Sequence, residues 1–136
     1  MDIQSILAAH RSKSNDYQTK RDKRTPVPTS SLIPDLFFDD ILIRYKLGRI
    51  EIVVMMFLYR QVWCRPNLYQ KYGIGPILSH SDMADGLGLK LEDIHQTLRK
   101  LESWGLIQTV RSGQYFVRKY FIKEFDREYM QNYENL

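Results

Sequence analysis

The sequence predicts an α+β fold, mainly α with one small β-hairpin. Three observations predict it. Residues Arg49 to Cys64 are apolar around most of a helical circumference, the pattern of a helix buried in the middle of a domain. Two shorter helical patterns follow, ILSHSDMADGLGL and KLEDIHQTLRKLESWGLIQTV, divided at Gly88 and closed at Gly105. Then two β-prone runs, LIQTV and YFVRKYF, flank Arg111-Ser112-Gly113-Gln114, short enough for a tight hairpin.

The 136 residues suit one domain with a modest core. The net charge is +4 and the pI about 9.2, which permits a polyanionic partner without requiring one. The excess is uneven. Residues 1–30 carry six Lys/Arg against three Asp, leaving +1 for the other 106 residues. Any basic surface on the folded part must therefore come from arrangement. Cys64 is alone, which excludes an internal disulfide and suits a buried small residue in a reducing cytoplasm. The start, MDIQSILAAH, lacks a positive leader, and the longest apolar run, Ile52 to Tyr59, is too short to span a bilayer. No secretory signal and no membrane partner are expected.

In chain order, Ile3, Ile6 and Leu7 stand at helical spacing, compatible with a short amphipathic helix from Asp2 to His10. Ser12 to Ser31 is polar, charged and ends in TPVPTSS. Such a stretch buries too little apolar surface to offset its ordering entropy. Residues 1–30 read as a basic, flexible arm, either a linker or a segment that binds phosphates or an acidic partner. Residues 31–120 form the main domain. Pro34 opens a helix whose apolar face is Leu36, Phe37, Ile41 and Tyr45. After Gly48 comes the central helix. Arg65 to Gly75 is a loop carrying Tyr69, Lys71 and Tyr72.

Ser79 is placed to cap the next helix, with Asp82 as its acidic partner. Met83, Ala84 and Leu87 face inward, and Gly88 permits a left-handed stop. In the following helix Ile94, Leu98 and Leu101 make an inward stripe. Leu91, Glu92, His95, Gln96 and Arg99 lie on the opposite side. Gly105 ends that helix and the hairpin follows. Residues 121–136 read as a terminal helix. Its stripe of Phe121, Phe125, Tyr129 and Tyr133 either folds onto the domain's own core or packs against a second copy.

Helix, turn, helix, hairpin in that order is the winged helix-turn-helix: a three-helix core with flanking amino- and carboxy-terminal helices. It sets one helix against a DNA groove while the hairpin meets the backbone. On that reading Gln96 and Arg99 contact bases, and Lys90, Arg111, Arg118 and Lys119 hold phosphates. Leu91, Glu92, His95, Ser112 and Gln114 complete the surface facing double-stranded DNA. Glu92 and Asp93 suit a helix amino terminus but repel phosphates. The same fold therefore also permits a protein-interaction adaptor that binds no DNA. Its partner or dimer contacts would be Phe121, Phe125, Tyr129 and Tyr133, or Ile3, Ile6 and Leu7.

Residues 27–120 resemble the amino-terminal winged-helix domain of phage and plasmid replication initiators of the replication-protein-O type. The resemblance lies in VPTSSLIPDLFFDDILIRYKLGRIEIVVMMFLYRQVW, in A-x-x-L-G-L at Ala84 to Leu89, and in L-x-x-L-x-x-x-G-L-I at Leu98 to Ile107. It implies sequence-specific binding of repeated origin DNA. The departure is Leu91, Glu92 and Asp93, where such domains usually offer Ser, Thr, Asn or Arg.

No enzyme is expected. His10, His80 and His95 are far apart and at no metal-ligand spacing. There is no phosphate-cradling glycine motif and no nucleophile elbow. Hence no cofactor and no metal are expected. The reading is a cytoplasmic DNA-binding regulator of transcription or a replication-associated factor.

Overall fold

A computed structural model describes residues 27–126 and 128. The chain divides between Ser30 and Ser31, and the fold below is that of the second unit. Its class is α+β: helices and one antiparallel hairpin.

A first helix, α1, runs through a wide turn at Phe37–Ile41 into Leu42–Arg44. Phe37 and Ile41 are fully buried, while Phe38 and Ile43 face solvent. Helix α2 spans Arg49–Tyr59 and continues as a wide-turn helix over Arg60–Cys64, so the predicted helix is present at its full length. Val54, Met55, Leu58, Tyr59 and Val62 are buried along it. It packs against both the longest remaining helix and the hairpin, as its nearly all-round apolar character requires.

Helix α3, His80–Leu87, is capped by Ser79, whose Oγ accepts the Asp82 N–H at 3.2 Å. Gly88 stops it in the left-handed region at φ 66°. Helix α4, Leu91–Ser103, buries Ile94, Thr97, Leu98 and Leu101 against α2 and α3. Gly105, at φ 76°, turns the chain into strand β1, Ile107–Arg111. Strand β2, Gln114–Val117, returns antiparallel with Ile107 opposite Val117. The register shifts between Thr109 and Arg111, a bulge beside the tip that twists the ribbon locally.

The loop before α3 departs from expectation. It contains a short 3-10 turn, Gln70–Tyr72, and then runs extended along the free edge of β2. Gly73 O accepts from Val117 N–H at 2.8 Å, Gly75 N–H donates to Tyr115 O at 3.1 Å, and Leu78 N–H donates to Gly113 O at 2.7 Å. Ile74 bridges to Phe116. All four residues of β2 are buried, because the strand has a neighbour on each side. The edge that would template aggregation is covered by the protein's own chain.

The predicted terminal helix, residues 121–136, falls mostly outside the described residues. In its described part Phe121 sits at φ 68°, left-handed for a residue with a β-carbon, and Lys123–Phe125 forms a 3-10 turn. The Phe121 ring is 1% exposed, stacked on Tyr59 at 5.0 Å and tilted against Phe37 at 5.4 Å. Burying an aromatic of this size contributes roughly 1.5–3 kcal/mol, enough to hold the strained backbone. Phe121 is thus core rather than partner surface. Phe125 is half-buried against Tyr120. Tyr129 and Tyr133, like Ile3, Ile6 and Leu7, lie outside the described residues.

Candidate functional site

The amphipathic α4 decides the site. Its apolar stripe faces α2 and α3, so Lys90, Leu91, Glu92, His95, Gln96 and Arg99 are all exposed. Leu91 keeps 42% of its surface open. Gln96 Nε2 donates to Glu92 Oε1 at 3.3 Å, a one-turn pair that partly offsets the acid on this face. The hairpin tip adds Arg111 and Ser112, both exposed. These eight residues stand where the sequence placed them, on the outside of α4 and the hairpin tip.

Three others do not. Gln114 is only 6% exposed. Its Nε2 donates to Gly75 O at 3.0 Å, and its Oε1 accepts from Arg111 Nε at 3.0 Å. It ties the tip to the preceding segment. Arg118 is likewise occupied: its Nε donates to Gly105 O at 3.0 Å, its guanidinium pairs with Asp126, and it lies over the Phe116 ring. Lys119 Nζ lies 5.5 Å over Trp63. It lines a separate cleft of about 560 Å³ with Leu32, Tyr59 and Trp63. That cleft shares no lining residue with the one around Arg99. Gln114 lies on β2, the central strand, whose four residues are buried, and Arg118 and Lys119 follow where the chain leaves it, both partly buried.

The cleft beside Arg99 measures about 250 Å³ and lies among α3, α4 and the hairpin. His80 and His95, far apart in sequence, meet there edge to face with ring centroids 5.0 Å apart. His80 Nε2 lies 2.6 Å from the Tyr115 hydroxyl. With the imidazole proton on Nδ1, that hydroxyl donates. Burial, and then the neighbouring His95, holds His80 below the ordinary histidine value. Burial pushes the Tyr115 hydroxyl up, with Glu102 adding to the effect, so the phenol keeps its proton. Glu102 closes the cleft, accepting from Thr109 N–H at 3.0 Å and Thr109 Oγ1 at 3.2 Å. No sequence signal pairs His80 with Tyr115, since they are 35 residues apart. His95 and Arg99 could have been grouped, being one helical turn apart.

Supports behind the face are explicit. Lys100 Nζ reaches Glu51 Oε1 at 3.2 Å, linking α4 to α2. Burial alone would raise the Glu51 carboxyl, but backbone N–H groups and Lys100 outweigh it and hold the carboxyl low. Tyr45 stacks on Trp104 at 5.2 Å where α4 ends.

Among the described residues no three His, Cys, Asp or Glu side chains gather as a metal site, and no helix is long and apolar enough to cross a membrane. Cys64 is half-buried and free. Comparison of the chain with protein-family models, curated proteins and solved structures returned no match.

Proposed function

We propose that residues 31–126 are a winged helix-turn-helix domain that binds double-stranded DNA. It acts in the cytoplasm as a non-enzymatic regulator of transcription or replication-associated factor. One observation carries the reading: α4 buries its whole apolar stripe and leaves Leu91, His95, Gln96 and Arg99 open beside the exposed Arg111 at the hairpin tip. An exposed helix flanked by a β-ribbon is what a major groove accepts. Gln96 meets bases; Lys90, Arg111 and, from the edge of the cleft beside α3, Arg99 meet phosphates. The similarity to replication initiators in A-x-x-L-G-L and L-x-x-L-x-x-x-G-L-I points the same way.

The test is duplex binding against salt. Lys90, Arg99 and Arg111 on phosphates would give a log–log slope of about −2.7. Arg99→Ala would flatten it by about 1. Absence of duplex binding at low salt removes the reading.

A second reading, a protein-interaction adaptor on the same fold, is favoured by the exposed apolar side chains before and on α1. Leu32 is 90% exposed, Ile43 67% and Phe38 52%. Phe38→Asp with Ile43→Asp separates the two. Loss of self-association in sedimentation, with duplex binding absent in both proteins, favours the adaptor; unchanged duplex binding favours DNA.

A further inference from the structure

We propose that the cleft among α3, α4 and the hairpin captures one backbone phosphate of the nucleic acid, and that capture is coupled to protonation of His80 and His95. This rests on the DNA reading above and names a regulation of that face. The groups facing the imidazoles are Arg99 and Glu102 on α4 and the Tyr115 hydroxyl on β2, with Thr109 from β1. With both imidazoles neutral, Arg99 and Glu102 cancel, and the cleft offers an anion no net attraction. With both protonated it carries two net positive charges.

Two features make the protons and the anion depend on each other. The rings are 5.0 Å apart, so two imidazolium ions repel unless an anion shares them. Glu102 has two bonds from Thr109 fixing it in place, so it stays as the cleft wall and does not swing across to neutralise the imidazoles. His80 is already held in its neutral form by burial and by His95. An incoming phosphate supplies the missing counter-charge, and Tyr115 turns from donor to acceptor as His80 Nε2 gains its proton. The 250 Å³ of the cleft suffices for a phosphate group.

The probe is sulfate, tetrahedral and doubly charged across the whole range from about pH 8 to about pH 5. Imidazole Hε1 resonances of His80 and His95 are followed by NMR, in sulfate and in chloride at equal ionic strength. Both midpoints should rise by about half a pH unit or more in sulfate, and Arg99→Ala should abolish the rise. Equal midpoints in the two salts overturn the proposal. In parallel, affinity for a short duplex at fixed salt should rise about tenfold or more between about pH 7.5 and about pH 5.5. The rise should shrink in His80→Gln and in His95→Gln. Duplex binding that is the same at both pH values overturns the proton-coupled site while leaving the DNA reading intact. A sulfate shift with no duplex binding at either pH overturns the proposed function, and the nucleic-acid ligand with it.

Discussion

The carbonyl of Gly113, at the hairpin tip, accepts the Leu78 N–H at 2.7 Å, and the two backbones approach so closely that a β-carbon on Gly113 would overlap the Leu78 carbonyl oxygen. The tip is thereby pinned to the segment that leads into α3. Gly113 also sits at φ 83°, which L side chains rarely adopt. Gly113→Ala should cost about 2–4 kcal/mol from the combined strain and overlap. Gly86, inside α3, is the opposite case: a β-carbon there meets nothing within 4 Å. Gly86→Ala should stabilise by about 0.5–1 kcal/mol. Urea midpoints of the two variants check both signs.

Arg118 and Arg99 should separate stability from binding. Arg118 is tied to Gly105 O, Asp126 and the Phe116 ring, whereas Arg99 is exposed. Arg118→Ala should lower stability by about 1–3 kcal/mol and leave duplex affinity unchanged once folded. Arg99→Ala should change stability by less than about 0.5 kcal/mol and weaken duplex binding. Denaturation and salt-titrated binding on both variants read this directly. The reverse assignment would restore Arg118 to the binding face.

Phe121→Ala should destabilise by about 3–5 kcal/mol, because it removes a ring packed between Tyr59 and Phe37 and leaves a cavity. Sedimentation of the variant, where it remains folded, should show the same self-association as the parent protein. A surface role would give the opposite pair of results.

Stability should fall with pH in two stages. His80 favours its neutral form in the fold, so its contribution is complete above the unfolded value of 6.5. It is lost as pH drops through 6.5 toward the lower folded value. Glu51 favours its charged form, so its contribution is present above 4.5 and lost below. Urea midpoints measured in chloride from about pH 8 to about pH 4 should show the upper stage in the parent protein and not in His80→Gln. The lower stage should persist in both.

Helix and turn boundaries were legible because their causes are local. Ser79 caps because a hydroxyl reaches an N–H three residues on, and Gly88, Gly105 and Gly113 permit left-handed backbone at the points where the chain turns. The inward stripe of α4 was legible from its spacing, and with it the exposed set from Lys90 to Arg99. The sequence places Gly73 to Gly75 at the end of a loop and starts a helical pattern at Ile77, because the pairing of this segment with β2 depends on a partner some forty residues away. Gln114 and Arg118 looked like tip and strand polar residues, and only their distant acceptors, Gly75 and Gly105, show them to be fasteners.

By itself the sequence determined a set of helices with one hairpin, where α2, α3, α4 and the hairpin turn start and stop, and which side of α4 faces away from the core. Those properties depend on neighbours within a turn or two. Tertiary structure alone decided that Phe121 is core, that Lys119 belongs to another cleft, and that His80 meets His95 and Tyr115. A periodic pattern states that a face is buried or open, but the groups that meet across the fold are set by how α3, α4 and the hairpin pack.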